Sequence, residues 1–171
     1  SGSSRYPYHS IASILQSTNF KIVITANPIE KNIEDKLVAE FGNIFKERVY
    51  FTGMLDQLYT PSIIKDAIFS MVFYKMDTPN NRFCEANRFY QTLSFGVPVI
   101  CGCNESMKGI INQYHCGIAL KSDGSDLGEI KIAIKNMLDN YEYYSANAVA
   151  IKDLFVWNDK KIFDLISYLV A

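Results

Sequence analysis

The sequence predicts an α/β fold of the Rossmann-like, doubly wound kind, a parallel sheet with helices on both faces. Three observations predict it. Short β-branched apolar runs recur along the chain, segments with helically spaced apolar residues separate them, and glycine or proline punctuates the joins. That alternation implies right-handed crossovers and a parallel sheet covered on both sides. The 171 residues read as one domain with a single core, preceded by a linker-like stretch at residues 1–5.

The elements follow in order. Residues 8–16 predict a helix, with Ile11, Ile14 and Leu15 along one face. Residues 20–25 form a nearly continuous apolar run, as a strand buried on both faces requires, and Asn27-Pro28 breaks it. An amphipathic helix over 33–45 places Leu37, Val38 and Phe41 inward. A short strand over 48–52 closes at Gly53, Pro61 opens a short helix over 62–67, and 68–74 reads as a third strand.

Residues 75–86 are polar and predict a long surface loop, a type often functional in compact domains. A helix over 87–95 stops at Gly96, and Val97-Pro98-Val99-Ile100-Cys101 is a fourth strand with proline at its start. A helix over 105–114 and a short strand over 117–120 come next. Asp126 and Glu129 form a capping pair ahead of a helix carrying Leu127, Ile130, Ile134, Met137 and Leu138. Helices over 141–155 and 159–170 close the chain. Ligands of such folds bind beyond the C-terminal strand ends, which places function in residues 25–28, 52–57, 74–87 and 101–106.

Composition narrows the partners. Hydrophobic residues make up 49% and charged residues 20%, and 17 basic against 18 acidic side chains give a net charge of -1. That balance argues against nucleic acid, which needs a clear basic excess. No apolar stretch is long enough to cross a bilayer and no signal-peptide core opens the chain, so a cytoplasmic protein is expected. Cys101, Cys103, His115 and Cys116 lack the paired spacing of a zinc clip and read as structural thiols and a structural histidine.

The most informative segment is Ala86-Asn87-Arg88-Phe89-Tyr90-Gln91-Thr92-Leu93-Ser94-Phe95-Gly96-Val97-Pro98-Val99-Ile100. It is a loop, a short helix, a glycine stop and a buried strand. The helix N-terminus offers free N–H groups and the positive dipole end to an anion, and Arg88 in the first turn adds a forked cation. Gln91 lies one turn on, on nearly the same face, where its amide can reach ribose hydroxyls. Glu85 reads as an exposed loop carboxylate and Gly53 as a turn glycine.

This segment resembles the group 1, or family four, nucleotide-sugar glycosyltransferases of the two-domain GT-B type. Their C-terminal domains read P-N-K-x-x-E-x-x-A-x-G-x-P-V-I here. Thr52-Gly53 resembles the family's F-x-G turn near the nucleobase, residues 68–73 its A-D-x-x-x-x-P strand, and His115-Cys116-Gly117-Ile118-Ala119 its N-x-x-G-I-x-x strand. Trp157 and its helix resemble the closing helix. The resemblance implies a donor-binding half whose acceptor-binding N-terminal half is missing. It implies a diphosphate contact at Arg88, ribose contact at Gln91, and a sugar-facing loop at about 75–87 that includes Glu85 and Asn87.

It further implies a nucleotide-diphosphate sugar as substrate, no metal or other cofactor, a role such as bacterial surface polysaccharide synthesis, and peripheral membrane contact, if any, through the missing half. Ala86 stands where the family has proline, and neutral Gln91 where it has glutamate. That second departure keeps open a non-catalytic or degenerate nucleotide-binding module. Half of a nucleotide-sugar epimerase shares the fold but needs acids and a histidine around the sugar. A phospho-accepting receiver domain needs acidic residues after the first strand, where Thr25-Ala26-Asn27 stand.

Overall fold

The computed structural model describes residues 6–25, 29–56, 58–156, 163 and 166–168. Helix α1 (Pro7–Ser17) has proline in its first turn and buries Ile11, Ala12 and Leu15. Strand β1 (Ile22–Ile24) leads to α2 (Lys31–Phe41) and α3 (Asn43–Arg48). One helix was expected over 33–45. Gly42 divides it at φ +53° and ψ -123°, a backbone state open only to glycine.

Strand β2 (Val49–Phe51) follows, then α4 (Thr60–Ile64) and β3 (Ser70–Val72). The predicted loop over 75–86 contains a short helix, α5 (Pro79–Phe83). Thr78 caps it by accepting from the Asn81 N–H, and Pro79 sits in its first turn. Helix α6 (Asn87–Ser94), strand β4 (Val99–Cys101), helix α7 (Glu105–Tyr114) and strand β5 (Gly117–Ala119) come next. Helices α8 (Leu127–Asp139) and α9 (Tyr141–Ile151) run into a 3-10 turn at Lys152–Leu154. The expected last helix, with Trp157, falls largely outside the described residues.

Every strand pairing is parallel, and helices cover the sheets, as the alternation predicted. Two ladders form: β1 with β2, and β3-β4-β5 with β4 in the centre. The core has three clusters. Phe89, Leu93, Val99, Cys101, Met107 and Cys116 lie on one side of the larger ladder. Phe73, Ile100, Leu120, Ile130, Ile134 and Met137 lie on the other. Ile11, Leu15, Ile22, Leu37, Phe45 and Val49 join α1, α2 and α3 to the smaller ladder.

The Asp126–Glu129 pair works differently from a reciprocal capping box. Asp126 caps α8 through the N–H groups of Gly128 and Glu129. The Glu129 carboxylate reaches instead to the N–H groups of Lys121 and Ser122 and fixes the turn after β5. His115 ends α7 in the left-handed conformation at φ 53°, its carbonyl accepting from Asn147. That is the structural role expected of it.

Candidate functional site

The segment that leads from the C-terminal end of β3 into α6 forms a polar groove. Its volume is about 390 Å³, and Tyr74, Asn80 and residues 84–88 line it. The structure thus brings Glu85, Asn87 and Arg88 to one groove. Gln91 follows one turn later on α6, half-buried, its side-chain amide making no hydrogen bond to the described residues. Gly53 lies outside the lining, after β2, at φ +72° with open space where a side chain would stand. Its backbone angle alone accounts for glycine there.

Helix α6 starts differently from the two helices beside it. Thr78 caps α5 and Asn104 caps α7, each accepting from a first-turn N–H. At the α6 N-cap stands Ala86, which has no side-chain acceptor to offer. No side chain caps this first turn, in which the Phe89 N–H donates to the Ala86 carbonyl, and the positive end of the helix dipole lies at the groove, an arrangement suited to an anion. Arg88 adds its guanidinium there. It is half-buried, and its Nη2 donates to the Thr25 carbonyl at the end of β1, 3.3 Å away. That bond ties the start of α6 to the smaller ladder.

Glu85 is exposed at the rim beside Tyr90. Burial first, and then the Glu85 carboxylate, pushes the Tyr90 phenol up to about 12, so Tyr90 stays protonated and can donate a hydrogen bond. Asn87 is exposed at the first helical position.

Asn104 is the positioning residue that sequence reasoning missed. Only 1% of it is exposed. Its Nδ2 donates to the carbonyls of Asn81 (2.8 Å) and Cys84 (3.2 Å), and its Oδ1 accepts from the Met107 N–H (3.1 Å). Ser106 Oγ adds a bond to the Phe83 carbonyl at 3.0 Å. The α5 turn and the groove wall at residue 84 are therefore hung on the start of α7. A cap-type residue just before a helical run was the available signal.

A second polar joint lies nearby. Asp123 Oδ2 accepts from Tyr6 Oη (2.8 Å) and from the Met76 N–H (3.2 Å), linking α1, the turn after β5 and the segment after β3. Cys101 and Cys116 are buried thiols of the core, pushed up by burial to about 12 and about 11, as structural cysteines are. A larger depression, about 500 Å³, lies between the end of α1 and α8, lined by Ser17, Lys131, Ile132, Lys135, Leu138 and Asp139. Lys135 and Asp139 form an exposed helix pair there beside Lys131, and the depression lies at the opposite ends of the strands.

The fold defines the class first: a doubly wound α/β domain with a polar groove at its strand ends and an uncapped, arginine-bearing helix start. No family model and no curated protein sequence matches the chain. Solved structures do. The chain is similar to sucrose-phosphate synthase from Thermosynechococcus elongatus, with a TM-score of 0.66 and 18% identity, over 95% of this chain and 42% of that one. It is similar to Os79 from O. sativa, solved in complex with UDP and deoxynivalenol-3-glucoside, with a TM-score of 0.59 and 15% identity, over 83% of this chain and 32% of that one. The chain spans less than half the length of either. The likeness establishes the Rossmann-like fold of a GT-B half that the sequence predicted.

Proposed function

We propose that the chain is the donor-binding domain of a GT-B glycosyltransferase, taking a nucleotide-diphosphate sugar in the groove beside α6. The observation that carries the reading is the start of α6. It is uncapped, carries Arg88, and faces a groove at the strand ends of a fold shared with a sucrose-phosphate synthase and a UDP-bound protein.

In this reading the diphosphate lies over the first turn of α6 and takes a forked contact from Arg88. The amide of Gln91 serves the ribose hydroxyls, Glu85 and Asn87 face the sugar, and the turn at Gly53 borders the nucleobase. Charge growing on the departing diphosphate would be met by the helix dipole and the guanidinium, with no metal required. The acceptor, and the rest of the apparatus for transfer, come from an N-terminal domain. Surface polysaccharide assembly in a bacterial cytoplasm is the setting we favour. Gln91 supports a second reading: a neutral amide is a weaker ribose acceptor than a carboxylate, as in a module that binds nucleotide without turning it over.

Calorimetric titration with UDP, GDP, ADP and their sugar conjugates tests both. Arg88→Ala removes a charge-assisted phosphate contact worth about 1.5–3 kcal/mol, or about tenfold or more in affinity. One nucleotide bound by the native chain and weakened that far supports the donor reading. Binding without sugar transfer, after an acceptor domain is joined, supports the module instead. Equal affinity in Arg88→Ala removes the phosphate role from α6.

A further inference from the structure

Among the described residues, the groove beside α6 is lined by one charge of each sign, Arg88 and Glu85. Its other polar lining is neutral: Tyr74, Asn80 and Asn87. Arg88 is drawn toward the end of β1, where it bonds the Thr25 carbonyl. The basic residues nearest to the groove in the chain do not line it. Lys75 Nζ sits over the Tyr6 ring, 5.7 Å from its centroid, and Arg82 Nε donates to the Met76 carbonyl at 3.4 Å.

Glu85 is exposed, but its place is set from both sides. Before it, the Cys84 carbonyl accepts from Asn104 Nδ2. After it, the Ala86 carbonyl accepts from the Phe89 N–H and begins α6. Tyr90 brings its phenol to the Glu85 carboxylate. That ring is itself packed, with centroids 5.4 Å from Phe89 and 5.5 Å from Phe155.

This set has a definite preference among sugars. A carboxylate only accepts hydrogen bonds, whereas amides and a phenol both donate and accept. A sugar hydroxyl also does both, so it finds a partner in every member of the set. A sugar carboxylate is acceptor-only and negative, and in Glu85 it meets its own kind. The cation that could answer it, Arg88, is the one the diphosphate takes.

We infer that the sugar taken by this groove carries no carboxylate: the site accepts a neutral polyhydroxy sugar and turns away its uronic acid counterpart, with Glu85 as the discriminating residue. The inference rests on the donor-binding reading of the groove and adds the class of sugar to it.

Calorimetry on the whole chain tests it with three matched probes. They are UDP-glucose, UDP-glucuronate and the C6 carboxamide of the latter, or the same sugars on whichever base binds as the free diphosphate. The native chain should hold the hexose conjugate about fivefold more tightly than the uronate, as one like-charge contact at about 4 Å in water-like surroundings predicts. The carboxamide, which keeps the shape and loses the charge, should bind like the hexose. Added salt should narrow the gap. Glu85→Gln should bring hexose and uronate level, and Glu85→Lys should make the uronate the tighter ligand. Ratios are compared within each chain, so effects on the diphosphate cancel. Equal binding of hexose and uronate by the native chain, a ratio unmoved by Glu85→Gln, or rejection of the carboxamide as strong as that of the carboxylate would each overturn the inference. In those cases the free diphosphate still binds and the donor reading stands. If no free diphosphate binds the native chain, the donor reading fails and the inference falls with it.

Discussion

Strands β4 and β1 are both three-residue apolar runs, yet they sit in different surroundings. Val99, Ile100 and Cys101 of β4 are fully buried, with a paired strand on each side. Val99 and Cys101 pack into one cluster and Ile100 into the other, so both faces of β4 are covered. In β1, Ile22 and Ile24 pack inward against α1 and its neighbours, but Val23 is 47% exposed. Tyr50, opposite it in register on β2, is 43% exposed. A β-branched run records that a strand can be buried on both faces. Neighbouring elements decide whether it is.

The largest expected difference follows from that. Ile100→Ala leaves a cavity in a filled layer and should cost about 2–5 kcal/mol. Val23→Ala removes a half-exposed side chain and should cost less than about 1 kcal/mol. Urea denaturation midpoints at constant slope measure both. Equal losses would mean that Val23 is covered in solution and that the contrast between the ladders is false.

Each ladder also has a polar clamp, and these come next in size. Arg48, at the end of α3, donates from Nε to the Phe20 carbonyl (2.8 Å) and from Nη2 to the Thr18 carbonyl (2.7 Å). It thereby closes the C-terminal end of α1 and fixes the approach to β1, a place where a cation suits the helix dipole. Asn104 does the matching work beside the groove. Arg48→Ala should cost about 1.5–3 kcal/mol and Asn104→Ala about 1–3 kcal/mol, each stranding backbone groups. The two should differ in where they loosen the molecule. Limited proteolysis should cut between residues 76 and 86 in Asn104→Ala and between 17 and 21 in Arg48→Ala. Identical cleavage patterns would show that the clamps are not local.

The order of elements was legible because each rests on neighbours in the chain. Pro61 opened a helix where expected, Gly96 followed the end of α6, and the apolar runs became strands. Other features were harder to read for particular reasons. The short α5 helix carries few apolar residues, so periodicity was silent, although Thr78-Pro79 was a cap signal in plain sight. The pairing of strands in two ladders is set by which edges meet, which no local pattern records. At the site, the helix start and Arg88 were visible as a segment, and the structure places Glu85, Asn87 and Arg88 on one groove. The hold of Asn104 on residues 81 and 84 spans about twenty positions of chain, and chain order alone carries no trace of it.

The smallest effect lies at the joint between α1 and the segment after β3, and it tests whether that joint is ionic. Burial raises the Asp123 carboxyl, but hydrogen bonds from Ser125, Tyr6 and the Met76 N–H outweigh it and hold the group below its ordinary value. A lowered carboxylate pKa stabilises the fold above the unfolded value near about pH 4, and that share is lost as pH falls through the folded value. Tyr6 moves the other way, raised by burial and then by its bond to Asp123. Its share is present below about pH 10 and is lost as pH rises through the folded value. Tyr6→Phe should therefore flatten the alkaline fall in denaturation midpoint and shrink the acid fall only in part, because Ser125 and the Met76 N–H remain. An unchanged alkaline slope would show that the Tyr6–Asp123 bond does not persist in solution, and the ladders would then lose one of the ties between α1 and the end of β3.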